Sequence, residues 1–269
     1  MQSTSLALMA CENAKKKLTY PLVPVYDAIL FCDLGEEPPW VYEQVDFIKN
    51  ACEQVGIDFY ILNTSLYDDY IKNFGISRVV SVPFWSIDEN GKKSKMTRHC
   101  TIDYKIEVMN KFVRWSLLGY KKGQRTKPKD IGSHEMHIGF SYEEKHRAKT
   151  TGKCKLFQYK YPLIEMGLER KDNYRYILEV WGLDSKASAC SFCPFHRNYF
   201  YKYLKANHPE SYEAVVRLDN LLEKNQPLTT IRSKIYISRS GKRICDLTDE
   251  DCNDAEMFPY GDRLIWNGF

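Results

Sequence analysis

Tyr26-Asp-Ala-Ile-Leu-Phe-Cys-Asp-Leu-Gly-Glu-Glu-Pro-Pro39 is the stretch on which the fold reading turns. Its first half is a nearly continuous apolar run that ends in an acid, Asp33. A strand buried on both faces of a parallel sheet reads this way, with its polar end at the edge where ligands bind. Gly35 to Pro39 supply the turn that follows. Val41 to Val55 then has helical spacing, with Val41, Val45, Ile48 and Cys52 on one face and Gly56 as the stop signal. Asp58-Phe-Tyr-Ile-Leu-Asn63 reads as a second strand. Two strand–helix alternations in succession predict an α/β protein with a doubly wound, mainly parallel sheet.

Working outward, Ser3 to Leu18 carries an apolar stripe behind a hydroxyl-rich start, which predicts a helix. Downstream, a helix is expected from Thr101 to Leu118, a basic loop from Lys121 to Lys129 and a short strand over Met136–Phe140. Ser141 with Glu144 makes a capping-box start for a further helix. Asp172 to Leu183 is helical by pattern, Pro194 stands where a helix running through Leu204 can begin, and Glu210 to Glu223 predicts another. Ile231 to Phe269 is a small mixed tail. The expected organisation is an α/β body over residues 1–185 and a mostly helical, cysteine-bearing region with that tail over 186–269.

With 43% hydrophobic and 14% aromatic residues, the chain has the means to bury a sizeable core. Leu6 to Ala10 is the longest apolar run near the start, and Glu12 and Lys15 follow too soon for a leader or a membrane span. A cytoplasmic location and no membrane partner are the expectation. Nine cysteines, an odd count, argue against a disulfide framework and for metal or redox use. A net charge of +4 suits an anionic small molecule or RNA without deciding between them.

Two sets of residues carry chemistry. Gln2-Ser3-Thr4 runs into a helix; taken alone, Ser-Thr at a helix start is more often a plain cap than a phosphate site, although its free N–H groups suit an anion. Arg98-His-Cys-Thr-Ile-Asp-Tyr-Lys105 and Cys190-Ser-Phe-Cys-Pro-Phe-His196 bring three thiols at the starts of expected helices, where a lowered pKa would favour thiolates. Cys100, Cys190 and Cys193 are thus candidate metal ligands. Three thiolates suit a cubane iron–sulfur cluster with one open iron, whereas structural zinc wants a fourth ligand, which His196 or His99 could supply; spacing leaves both open. Arg98, Lys105, His146 and Arg147 are candidates for gripping phosphate or sulfate. Cys11, Cys32, Cys52 and Cys154 read as small core residues, and Cys245 and Cys252 match no standard site.

These segments resemble the PP-loop (adenine nucleotide alpha-hydrolase-like) superfamily, in particular its PAPS-reductase-like branch of phage and bacterial type. The resemblance rests on Ser3 and Thr4 with Asp33-Leu-Gly-Glu36, then Cys100-Thr-Ile-Asp-Tyr-Lys-Ile106, Ile138-Gly-Phe-Ser-Tyr-Glu-Glu-Lys-His-Arg147, Tyr161-Pro-Leu-Ile-Glu165 and Cys190-Ser-Phe-Cys-Pro194. It spans roughly residues 1 to 240, and several ordered motifs are far more specific than one. It implies an adenine nucleotide, ATP or PAPS-like and with Mg2+ on its phosphates, held by Gln2, Ser3, Thr4, Asp33, Gly35 and Glu36. It further implies a 4Fe-4S cluster on the three cysteines. Met1 falls inside the family's phosphate loop, so its two glycines and preceding strand are expected upstream. Loss of a central strand would cost on the order of several kcal/mol in unpaired ladder groups.

The implied function is sulfur transfer to, or sulfur-related modification of, a nucleotide or nucleic acid, with a sulfur-donor or reductant protein as partner. The alternatives are a PAPS or adenylyl-sulfate reductase proper and a zinc-stabilised nucleic-acid-binding module. The reductase's catalytic cysteine motif in the C-terminal tail is not found here. The module would use the aromatic and basic residues from Tyr199 to Lys205. The coupled chemistry requires Cys100, Cys190 and Cys193 to converge at the sheet edge marked by Asp33, with Arg98 and Arg147 in the same cleft.

Overall fold

The computed structural model describes residues 1–17, 19–148 and 154–253. Leu18, the end of the first expected helix, and the tail beyond residue 253 lie outside them. In chain order the first elements are α1 (Gln2–Glu12), β1 (Ala28–Asp33), α2 (Pro39–Glu53), β2 (Asp58–Asn63) and α3 (Leu66–Asn73). Next come β3 (Trp85–Ile87), β4 (Lys93–Lys95), α4 (Glu107–Phe112), β5 (His134–His137), β6 (Phe157–Lys160) and α5 (Pro162–Glu165). The described chain then runs through α6 (Arg170–Trp181), α7 (Asn198–Asn207), α8 (Pro209–Asn225) and β7 (Lys234–Tyr236). The architecture is mixed α/β. β1 pairs with β2, β5 lies parallel to β6, and β3 stands between β4 and β7, antiparallel to both.

The chain forms two compact units. The first comprises Met1–Phe31, Glu43–Ile61 and Met109–Ser185. Its core is built on α1, whose Leu6 to Cys11 are all buried, so this helix is apolar nearly all round and serves as the unit's interior. Ile48, Ala51 and Cys52 of α2, Leu163 of α5 and Ile177 of α6 pack in the same cluster. Cys11 and Cys52 are small core residues there, their sulfurs 3.7 Å apart. The capping pair Glu169 and Asp172 starts α6 at Arg170, two residues before the sequence pattern suggests, and left-handed Gly182 ends it. The Ser141 start leads into a short 3-10 helix, Tyr142–Arg147, in place of a longer α-helix.

The second unit comprises Cys32–Tyr42, Leu62–Val108 and Lys186–Phe269. Its interior is aromatic: Tyr67 against Phe192 with ring centroids 5.8 Å apart, Tyr70 against Phe84 at 5.6 Å, and Trp40 against Phe200 at 6.1 Å. Leu218 and Leu222 of α8 and Ile235 of β7 are fully buried beside them. Arg243 ties β7 to α8, its Nη1 standing 3.1 Å from Asp219 Oδ1 and donating to the Ile235 carbonyl. No described helix is long and apolar enough to cross a membrane.

Candidate metal and anion site

The acidic turn after β1 and the cysteine loop before α7 belong to the second unit, and they meet. Asp33 Oδ1 accepts hydrogen bonds from the Gly35 amide at 2.8 Å and from Tyr42 Oη at 3.1 Å, while Gly35 takes a φ of +92° that suits glycine. This shape aims the Glu36 carbonyl and the Glu37 side chain at the cysteine loop. The Glu36 carbonyl accepts the Ser191 amide at 2.7 Å. Glu37, 2% exposed, receives Ser188 Oγ at 3.4 Å and Cys190 Sγ at 3.9 Å.

The loop Cys190-Ser-Phe-Cys-Pro194 is a run of turns, with α7 beginning only at Asn198. Its carbonyls are clamped one by one: Cys190 by His196 Nε2 at 2.9 Å, Cys193 by Tyr201 Oη at 3.2 Å and Pro194 by Trp85 Nε1 at 2.9 Å. His196 is stacked on Phe200 at 3.6 Å, and burial lowers its pKa to about 4. It is a neutral ring committed to holding the loop, so it is not placed as the fourth ligand that zinc would need. Cys100, by contrast, does open a helical stretch that continues as the π-helical turn Ile102–Ile106.

Electrostatics join the three thiols. Burial pushes the Cys190 thiol well above its ordinary value, and Glu37, Cys193 and Cys100 add to the rise while Lys105 opposes it. Burial likewise pushes Cys193 up to about 11, against the Phe195 amide and Arg98, with Cys100 and Glu37 again raising it. The expectation of thiols lowered by helix starts is therefore corrected for Cys190 and Cys193: they lie in turns, and desolvation governs them. Burial alone would lower Lys105, yet Glu37, Cys190, Cys32 and Cys100 together hold its pKa up. Half-buried Lys105 is thus the cation that offsets this carboxylate and these thiols.

Among the described residues no group of three or more His, Cys, Asp or Glu side chains is arranged to hold a single metal ion. A cubane cluster makes a different demand, because each thiolate bonds a different iron and the sulfurs stand farther apart. Two observations bear on its fit. Lys105 and Arg98 are cations beside thiols that must ionise to bind, and Ser191 Oγ, between two of those cysteines, is buried without a hydrogen-bond partner. A donor left unsatisfied there suits an acceptor brought by a bound group.

The remaining candidates are in the first unit. Gln2 Nε2 donates to Glu144 Oε2 at 3.0 Å, Ser3 is exposed and Thr4 is buried, so only Ser3 of the two hydroxyls faces outward. The backbone of Gly139 closes on the start of α1: a Cβ placed there would stand 2.5 Å from the Ser3 nitrogen. Arg147 pairs with Glu144, which also meets Arg170 at 3.1 Å, and its guanidinium lies 4.3 Å from the Phe140 ring centre. Its side chain is partly exposed, with one donor spent on Glu144. His146 is exposed on the same turn.

Sequence reasoning overlooked Glu37. The signal was the doubled acid Glu36-Glu37 ahead of two prolines, which places two carboxyls on successive residues of a tight turn so that one faces solvent and the other the interior. Glu36 is half-buried, and burial raises its pKa to about 7, with Asp33 and Asp68 adding to the rise and Arg217 opposing it. Comparison of the chain with protein-family models, with curated proteins and with solved structures finds no match to any of the three.

Proposed function

We propose that this chain is a PAPS-reductase-like PP-loop enzyme of doubly wound α/β type, which binds an adenine nucleotide and a 4Fe-4S cluster and carries out sulfur transfer onto a nucleotide or nucleic acid. The observation that carries the reading is the seating of the cysteine loop on the acidic turn, where the Ser191 amide meets the Glu36 carbonyl at 2.7 Å and Cys190 Sγ lies 3.9 Å from the buried Glu37 carboxyl, with Lys105 opposing the rise of the Cys190 thiol. When bound, the cluster would supply an open iron able to hold sulfide. The chain's own residues do the rest. Cys100, Cys190 and Cys193 would hold it, Ser191 would have a hydroxyl to offer it, and the clamped carbonyls of Cys190, Cys193 and Pro194 would keep the loop from shifting as charge changes. Lys105 and Arg98 offset the negative charge and draw an anionic group of the substrate to the site. Asp33, Gly35 and Glu36 form the acidic turn for the nucleotide's sugar and Mg2+-bound phosphates.

Protein purified without oxygen should be brown and contain about four irons per chain. Cys100→Ala, Cys190→Ala or Cys193→Ala should lose most of the iron, whereas Cys52→Ala should keep it. Stoichiometric zinc without iron would overturn the cluster. Absence of heat on titration with ATP, AMP and PAPS would overturn the nucleotide.

A further inference from the structure

We infer that the face of the β4–β3–β7 sheet bearing Lys95, Trp85 and Tyr236 docks a single-stranded nucleic acid, which makes the acceptor a nucleotide within such a strand. This rests on the reading of Cys100, Cys190 and Cys193 as the reactive centre. The sheet register sets Lys95 and Tyr236 directly opposite Trp85, one on each side. Directly paired residues share a face, so a cation and two aromatic rings form one row across three strands. Ser86, Ser94 and Ile235 occupy the other face, and because Ile235 is 0% and Ser86 9% exposed, that face is the inward one. Trp85 and Tyr236 are half-buried and Lys95 is exposed; buried Arg243 lies 4.7 Å from the Tyr236 ring centre, so that ring has only its other face and edge to offer.

The row abuts the cysteine loop. Trp85 Nε1 donates to the Pro194 carbonyl, and the next residue, Phe195, has Lys95 Nζ 4.6 Å and Arg98 Cζ 5.4 Å from its ring centre. Lys95 Nζ also lies 5.1 Å from the Trp85 ring. A surface lysine ordinarily samples many rotamers, whereas this one is held by two rings. Two like charges gathered on one ring repel each other, a cost that a polyanion removes. Of the hairpin's acids, Asp88 is occupied by the Asn90 and Lys92 amides at the tip, away from the row. Gly241 and the Lys93–Ser240 contact close the face over Ile87, so the open platform is short.

Aromatic faces beside fixed cations match unpaired bases joined by phosphates. An acidic peptide would engage the cations and leave the rings unused, and a duplex would hide its base faces.

The test is fluorescence anisotropy with the full chain, purified without oxygen and assayed for iron, against labelled single strands of about ten nucleotides, RNA and DNA, and their duplex. Binding of either single strand at least about tenfold tighter than the duplex is expected. Lys95→Gln with Arg98→Gln should weaken it about tenfold or more and reduce the slope of log K against log salt by about two. Tyr236→Leu should weaken it with the slope unchanged. Single strands that fail to bind, bind no better than duplex or polyglutamate, or bind the folded double variant unchanged would overturn the inference. If iron is present and no strand binds, only the acceptor fails. If strands bind to a zinc-only protein, only the cluster reading fails and the platform stands.

Discussion

Removing either member of the Glu37–Lys105 pair, and then both, isolates the electrostatic frame of the site. Glu37 is 2% exposed, with Ser188 and Cys190 as its side-chain donors, and Lys105 supplies the cation within reach. Burial raises the Glu37 pKa and Lys105 opposes that rise. Two unit charges near each other at an effective permittivity of about 20 attract by about 2 to 4 kcal/mol, the lower figure applying where they are not in direct contact. Lys105→Met therefore leaves a buried acid with two weak donors, and Glu37→Gln, which keeps the volume, leaves an ammonium among thiols. Each should cost about 2 to 3 kcal/mol, since uptake or loss of a proton caps the penalty. The double variant has neither charge to desolvate, so it should cost little more than one single change, a coupling of about 2 kcal/mol. Urea unfolding of the four proteins under reducing, oxygen-free conditions measures this directly. If the two single effects add to within about 0.5 kcal/mol, the pair does not interact and the electrostatic frame is wrong.

Two further outcomes test each unit separately. Gly139→Ala should lower the stability of the first unit by about 2 to 3 kcal/mol in thermal unfolding, because its Cβ would stand 2.5 Å from the Ser3 nitrogen and 2.7 Å from its Cα, and backbone cannot swing aside; a melting temperature equal to the parent's would disprove the close approach. Glu36 has a folded pKa of about 7 against an ordinary 4.5, so its favourable protonation is fully present below pH 4.5 and is lost as pH rises through 7. Glu36→Gln should therefore gain on the parent across that window, by about 1 to 2 kcal/mol once the half-exposed carboxyl's contact with water is allowed for. A constant gap between pH 4 and pH 8 would show that the group is not raised.

What was legible in the sequence is what local chemistry fixes. The run ending at Asp33 and the run Asp58–Asn63 are β1 and β2, because four or five apolar residues bounded by turn residues leave little else to be, although both strands are only partly buried where burial on both faces is expected of the first. Pro39 begins α2, two residues ahead of the first periodic apolar position, since proline's fixed φ and missing N–H suit the first turn. Gly182 ends α6 for the converse reason. The cysteine segments were legible as a set but not in shape: Pro194 looks like a helix start, yet Trp85 and Tyr201 capture the carbonyls of Pro194 and Cys193, and the turn persists to Asn198.

The strands of the β4–β3–β7 sheet were not legible, because three residues carry less than two periods of alternation and cannot announce which face is buried. Their meaning comes from register. Tyr236 is remote from Trp85 in the chain, and only antiparallel pairing puts the two side by side. The same holds for Glu37, whose neighbours Ser188 and Cys190 arrive from more than a hundred and fifty residues away. Both features lie in the second unit, where the cysteine loop is the common neighbour: Glu37 and Lys105 stand at its buried side, Trp85 and Phe195 at its solvent side. A loop clamped between a charged interior and an aromatic, basic exterior can hold a reactive group rigidly while remaining open to a strand that approaches from solvent. That arrangement is why the chemistry of the thiols and the identity of the acceptor are separate questions, each answerable without the other.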